Sequence, residues 1–223
     1  MRAAFLTGVR AIEVREVPTP RLLREDDVLV RSKAVGVCGS DLHYYLSDTV
    51  GGDAVKYPFI PGHECAGVVA DVGRGVARVK PGDLVVVEPA VSCGVCDQCR
   101  TGRPHTCRRQ LFLGHYGELT GGMAEFALAP ERNCVPLPGR MTAVQGALAE
   151  PLSIALYASG LAGSVRGKTA AVLGTGPIGL CAVMALKADG CGALYATEKI
   201  EAREKAARTA GADWTGNPDR EDV

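Results

Sequence analysis

The chain lacks net charge. Its 223 residues carry 25 Lys and Arg against 25 Asp and Glu. That balance gives no electrostatic case for binding nucleic acid or an anionic membrane surface. It also lacks a long apolar run. No stretch approaches the roughly eighteen apolar residues of a transmembrane helix, so no membrane association is expected. Met1 to Arg10 lacks the apolar core of a secretory signal, and a cytoplasmic protein in a reducing compartment is expected. Internal repeats and low-complexity tracts are absent too. What remains is 47% hydrophobic residues and a mean hydropathy of +0.08, which suit a packed globular protein. The length allows one large domain or two small ones. The chain is not short of cysteine: it has nine.

Four of the nine are Cys93, Cys96, Cys99 and Cys107, spaced C-x2-C-x2-C-x7-C. Four thiolates this close can fold around one tetrahedral zinc, and closed four-sulfur sites are structural. Disulfides are disfavoured by the missing signal and by five further scattered cysteines. An iron–sulfur cluster is the sharper rival. The bacterial ferredoxin run has a three-residue final gap followed by proline; here the gap is seven and Arg108 follows. Arg100, Arg103, Arg108 and Arg109 would offset the net negative charge of a tetrathiolate zinc. Such a zinc does no chemistry, so activity must lie elsewhere.

The chain has two textures. Residues 1–150 are rich in Gly, Pro and short β-branched runs. Val28 to Val35, Glu64 to Val72, Leu84 to Val87 and Ala124 to Ala129 read as strands. Pro-Gly pairs at Pro61-Gly62, Pro81-Gly82 and Pro138-Gly139 punctuate them. This predicts an all-β, barrel-like domain. From residue 151 strands alternate with helices. Pro151 to Leu161 reads as a helix, Thr169 to Leu173 as a strand, and Ile178 to Asp189 as a helix. Ala193 to Thr197 reads as a strand, Ile200 to Thr209 as a helix, and Ala212 to Thr215 as the start of a third strand. That order predicts a parallel sheet with right-handed crossovers.

Gly174-Thr175-Gly176-Pro177-Ile178-Gly179 is G-x-G-x-x-G. It follows an expected strand and opens an expected helix, the context of a dinucleotide site. The first glycine permits the turn, the second admits pyrophosphate, and the third packs helix on strand. The helix N-terminus offers free N–H groups to the phosphates. Glu198 ends the next strand, where an acid would bind the adenosine ribose. Its carboxylate favours NAD over NADP, while Lys199 and Arg203 temper that preference. The plainer reading is a glycine-rich turn beside a surface glutamate.

Three other places carry reactive residues. Cys38 lies in Gly36-Val37-Cys38-Gly39-Ser40-Asp41-Leu42-His43-Tyr44. His63 and Glu64 follow Pro61-Gly62, and Glu150 opens Glu150-Pro151-Leu152-Ser153. Singly, each is more often a core or helix-end residue than a ligand. Together with the four-cysteine run and the glycine-rich turn, they resemble the medium-chain zinc-dependent dehydrogenases. That family includes alcohol, polyol and threonine dehydrogenases, and the resemblance runs over essentially the whole chain. It implies an N-terminal GroES-like β-barrel catalytic domain at residues 1–150. The first half of a Rossmann dinucleotide-binding domain would follow at residues 151–223.

The resemblance also assigns roles. Cys38, His63 and Glu64 match catalytic zinc ligands, and Ser40 and His43 match a proton relay. Gly174, Gly176, Pro177, Ile178, Gly179, Glu198 and Arg203 match cofactor-binding positions. Typical alcohol dehydrogenases have cysteine where this chain has Glu150, whereas the polyol (sorbitol, L-iditol 2-dehydrogenase-like) branch has glutamate in this context. Tyr44 matches a polyol-branch position lining the substrate pocket. The expected reaction is hydride transfer from a secondary alcohol or polyol to NAD, with two zinc ions per chain, one catalytic and one structural. Three protein ligands would leave one position for water or substrate. Glu150 would either touch the substrate or bind zinc directly.

The chain departs from the family in length. A full Rossmann sheet has six strands, and only two or three are readable here, so a C-terminally truncated dehydrogenase is expected. The full-length form is expected to be a homo-oligomer. Rival readings are an L-threonine 3-dehydrogenase or other diol dehydrogenase, a non-catalytic zinc-stabilised interaction module, and a zinc-free NADPH-dependent reductase.

Overall fold

Strands pair wherever β-branched residues alternate between turns. In the computed structural model, which describes residues 1–222, a hairpin comes first: β1 (Arg2–Gly8) against β2 (Ala11–Glu16). Then follow β3 (Asp27–Gly36), helix α1 (Gly39–Leu46), the short hairpin β4 (Thr49–Val50) with β5 (Asp53–Ala54), β6 (Glu64–Val72) and β7 (Leu84–Val87). A small lobe contains β8 (Ala90–Val91), α2 (Asp97–Arg100) and β9 (Leu111–Phe112). The sequence returns through β10 (Phe126–Pro130), β11 (Cys134–Pro136) and α3 (Ala143–Ala147).

The main sheet runs β10-β3-β6-β7-β11, antiparallel throughout. Two register shifts between β3 and β6, at Leu29/Val30 and Ser32/Ala34, bend it into a curled half-barrel. Its inner face buries Val28, Val30, Val69, Val85, Val87 and Leu113. On β3, Val28 and Val30 share a face, as the two-residue period of a strand requires. A second cluster joins Leu6, Tyr44, Val55, Phe59 and Tyr116. These residues form a compact unit, 1–148, and a second unit begins at Ala149.

The second unit alternates as its sequence predicts. Its elements are α4 (Ala149–Leu161), β12 (Thr169–Leu173), α5 (Pro177–Ala188), β13 (Ala193–Thr197), α6 (Glu201–Ala210) and β14 (Trp214–Gly216). The three strands are parallel, in the order β12-β13-β14. Their core holds Val183, Leu194, Ala196 and Ala207. Pro151 sits in the first turn of α4, where a missing N–H costs nothing. Gly211, with φ +113°, ends α6 in the left-handed conformation. β12 forms one edge of this sheet, and its Leu173 is 82% exposed.

Several elements escape the sequence reading, among them the β1–β2 hairpin, α1, α3 and the short strands β4, β5, β8, β9 and β11. In α1 the Gly-Ser-Asp opening hides a helix behind turn-forming residues. That helix is the one that carries Ser40, His43 and Tyr44.

Candidate active site and metal centres

Two loops meet at the end of the main sheet. One leaves β3 at Gly36 and reaches Cys38, the residue that starts α1. The other, Pro61-Gly62-His63, enters β6 at Glu64, which lies opposite Gly36 in the ladder. Gly36 must be glycine, since a Cβ there would lie 1.9 Å from Glu64 Oε2. Gly62 has φ +96°, and a Cβ there would meet Met123 Cγ at 2.7 Å. As a result Cys38 Sγ, a ring nitrogen of His63 and a carboxylate oxygen of Glu64 lie within 4.8 Å of one another.

Asp41 ties the two loops together. Its Oδ2 accepts from the Cys38 N–H at 2.9 Å and its Oδ1 from the Gly62 N–H at 3.3 Å. The side chain is 4% exposed. Burial raises the Asp41 carboxyl above its ordinary pKa, with the two backbone donors opposing. Burial also raises Glu64, with His63 opposing and Asp41 adding to the rise. Two buried carboxyls so close are poorly placed as anions unless a cation joins them. Thiol, imidazole and carboxylate are donors that zinc accepts, so the residues fit the metal.

The helix that starts at Cys38 carries the next group. Ser40 is half-buried and His43 exposed; three residues apart, they are neighbours on one face. Tyr44 is buried and meets Phe59, Tyr116 and His115 edge-on, at centroid distances of 5.5, 5.6 and 6.0 Å. Burial, then the neighbouring Tyr116, raises the Tyr44 phenol above its ordinary pKa, so it stays neutral at pH 7. Tyr57 Oη donates to the carbonyls of Tyr44 and Ser47 at 2.6 and 3.0 Å, closing the helix. The His63 ring meets Phe112 edge-on at 5.2 Å. Sequence reasoning missed Asp41 as a brace, and Phe112, His115 and Tyr116 as neighbours. Only the fold brings them together.

The cysteine lobe is a separate cluster. The Sγ atoms of Cys93, Cys96, Cys99 and Cys107 lie within 4.8 Å of one another. Separations of 3.5 Å (Cys96–Cys99), 3.9 Å (Cys96–Cys107) and 4.0 Å (Cys93–Cys99) are far beyond a disulfide. Four sulfurs about 2.3 Å from a tetrahedral zinc would stand about 3.8 Å apart. The backbone N–H of Val95 leads in lowering Cys93 to about 6. Desolvation and the neighbouring sulfurs Cys96 and Cys107 push Cys99 up to about 11. Four thiols together cannot all ionise without a cation, and a divalent metal supplies one. Of the four arginines singled out in the sequence, Arg109 reaches Cys93 Sγ at 3.7 Å. Arg108 pairs instead with Asp97 at 2.6 Å.

In the second unit Gly174 takes φ +89°, and a Cβ at Gly179 would sit 2.0 Å from the Gly174 carbonyl oxygen. The glycine turn thus brings the N-terminus of α5 close to β12. A cavity of about 930 Å³ opens there, lined by Gly174, Gly176, Pro177, Ile178, Glu198 and Arg203 among others. Glu198 Oε1 accepts from the Lys199 and Ile200 N–H groups at 2.8 and 3.0 Å, and Oε2 from the Thr175 N–H at 2.9 Å. These donors, Ile200 first, hold its carboxyl below the usual range. The Thr175 hydroxyl stands 3.4 Å from the same Oε2 and 3.3 Å from the Arg203 carbonyl, so it can take the last of the carboxylate's about four acceptor positions. Glu150 lies in this unit, in the first turn of α4, where its carbonyl accepts from Ser153 Oγ at 2.7 Å. No helix among the described residues is long and apolar enough to cross a membrane.

Comparison with known proteins follows the same lines. Sorbitol dehydrogenase of Bacillus subtilis (strain 168) is 39% identical over 212 residues, covering 95% of this chain and 60% of the relative. The crystal structure of galactitol-1-phosphate dehydrogenase from Escherichia coli superimposes with a TM-score of 0.91 at 30% identity, over 100% of this chain and 62% of that one. An alcohol dehydrogenase of Escherichia coli CFT073, solved with NADH, gives 0.85 at 32% identity, over 99% and 63%. The chain therefore spans about 60% of the length of the relatives it matches. The alcohol dehydrogenase GroES-like domain model matches residues 24–139, and this chain belongs to that family.

Proposed function

We propose that the chain carries the zinc-binding catalytic domain, residues 1–150, and part of the NAD-binding domain, residues 151–223, of a polyol dehydrogenase. The reaction is oxidation of a secondary alcohol in a sorbitol-like polyol to a ketone, with hydride passing to NAD. The observation that carries this reading is the convergence of Cys38, His63 and Glu64 within 4.8 Å of one another, at the start of the helix that carries Ser40, His43 and Tyr44. The three converging residues would hold one zinc, and Cys93, Cys96, Cys99 and Cys107 a second, structural one. A zinc held by Cys38, His63 and Glu64 would supply Lewis acidity toward the substrate hydroxyl.

The chain's own residues do the rest. Ser40 Oγ would accept the hydroxyl proton as it gives its own to the exposed His43 ring, which releases a proton to water. Tyr44 fixes the substrate on one side. Glu150 adds a carboxylate that holds the substrate or completes the ligand set. Gly174, Gly176, Pro177, Ile178 and Gly179 receive the pyrophosphate, and Glu198 with Arg203 the adenosine ribose. The NADH-bound structural relative supports the cofactor, and the sorbitol dehydrogenase relative the substrate class. A cytoplasmic homo-oligomer is the assembly proposed for the complete protein.

Metal content tests the reading. Protein purified without chelator should hold two zinc ions per chain, one for each ligand group, and Cys38→Ser should hold one. A single zinc in the wild type, unchanged by Cys38→Ser, would favour a zinc-stabilised interaction module instead.

A further inference from the structure

One group near the metal ligands has no assigned task. His115 lies beside Tyr44, and Glu118 beside His115. The His115 ring stacks on Tyr116 at 4.3 Å and 27° and meets Tyr44 edge-on. Its Nδ1 is buried and has no hydrogen-bond partner, although Glu118 Oε1 stands 3.3 Å away. A buried, unsatisfied ring nitrogen is costly and calls for an explanation. Glu118 is held in place by its other oxygen, which accepts from the Phe112 N–H at 2.5 Å. Phe112 in turn touches the His63 ring. The pair is therefore one residue removed from the metal ligands. It opens on a cavity of about 580 Å³ that Asp53 and Lys56 also line.

The chemistry of that cavity is specific. A stacked aromatic pair offers a flat face to C–H groups. Beside it stand two carboxylates that accept hydroxyl hydrogens, and an imidazole and an ammonium that donate. These are complementary groups for a neutral molecule bearing several hydroxyls. A phosphate would meet the two carboxylates with like charge.

We propose that His115 and Glu118, with Asp53 and Lys56, form a distal subsite that binds polyol hydroxyls remote from the reacting carbon. The subsite selects pentitols and hexitols over short diols. It rests on the polyol reading above and adds the residues that measure the substrate's length. A distal hydroxyl turns the His115 ring, and its unpaired nitrogen then gains the Glu118 carboxylate as partner.

The test follows ring-nitrogen signals of the four histidines in the zinc-loaded chain. Sorbitol, 2,3-butanediol and sorbitol 6-phosphate are titrated in turn. Sorbitol should move His63 and His115 together and saturably, whereas butanediol should move His63 alone. His115→Phe keeps the ring stack and Glu118→Gln keeps the shape. Each should lower the sorbitol-to-butanediol affinity ratio about tenfold. Sorbitol shifts at His63 without His115, or an unchanged ratio in both variants, would overturn the subsite and leave the polyol reading standing. A silent His63 with both polyols would overturn that reading and the subsite with it. Tighter binding of sorbitol 6-phosphate than of sorbitol would overturn the neutral-polyol assignment.

Discussion

The cysteine lobe and the Cys38 cluster are built to opposite plans. The lobe takes all its donors from one short stretch, Cys93 to Cys107, and surrounds its centre with four sulfurs. The Cys38 cluster takes three unlike donors from two segments 25 residues apart, the loop after β3 and the start of β6. A site closed by one segment organises that segment. A site assembled across a sheet depends on the sheet being formed first. On the function proposed above, metal would contribute to folding at the lobe and to chemistry at the cluster.

The largest expected effect separates the two at once. Cys96→Ser should remove one zinc and unfold the lobe, because structural zinc binding is worth ~10–16 kcal/mol in small zinc domains. Loss of protection in amide exchange across residues 90–112, with β3 and β6 unchanged, is the expected signature. Cys38→Ser should remove the other zinc and move the thermal midpoint by only a few degrees, about what a loss of 1 kcal/mol produces in a domain of this size. A similar unfolding of both variants would erase the distinction.

Asp41 sharpens the comparison. Asp41→Asn leaves all three donors of the cluster in place but weakens the acceptor that binds both loops. Zinc affinity there should fall about 10–100-fold, the usual cost of losing an outer-shell partner. The lobe's affinity, measured by competition with a chromophoric chelator, should not change.

The smallest effect lies in the second unit. Glu198 is held ionised by three backbone donors, so its folded pKa is lower than its unfolded one. Its contribution is fully present above the unfolded value and is lost as pH falls through the folded value. Glu198→Gln should flatten the acid limb of the stability curve followed by circular dichroism. Equilibrium dialysis should show a narrower preference for NAD over NADP in the same variant.

Sequence made the second unit readable almost element by element, because Thr169–Leu173 and Ala193–Thr197 are short apolar strands between helical patterns. The four-cysteine lobe was legible because its ligands are neighbours in the chain. The ligand candidates Cys38, His63 and Glu64 needed the family resemblance, since a lone cysteine or histidine carries little information. Asp41, Phe112 and His115 were not legible at all. Their significance comes from loops that meet only when β3 pairs with β6, and no local pattern records that meeting. Helix α1 was hidden because Gly39, Ser40 and Asp41 favour turns on their own.

That hidden helix fixes a length. Cys38 stands at its start and Tyr44 in its last turn, six residues and about 9 Å of helical rise apart. A single inserted residue would turn Tyr44 by about 100° away from Phe59, His115 and Tyr116, so this segment should tolerate substitution far better than insertion or deletion. The β4–β5 hairpin turns at Gly51-Gly52, just before Asp53, and nothing lies within 4 Å of a Cβ built on either glycine, so it carries no such constraint. On the subsite proposed above, lengthening or shortening that hairpin would shift the reach of Asp53 while the spacing between Cys38 and Tyr44 stays the same.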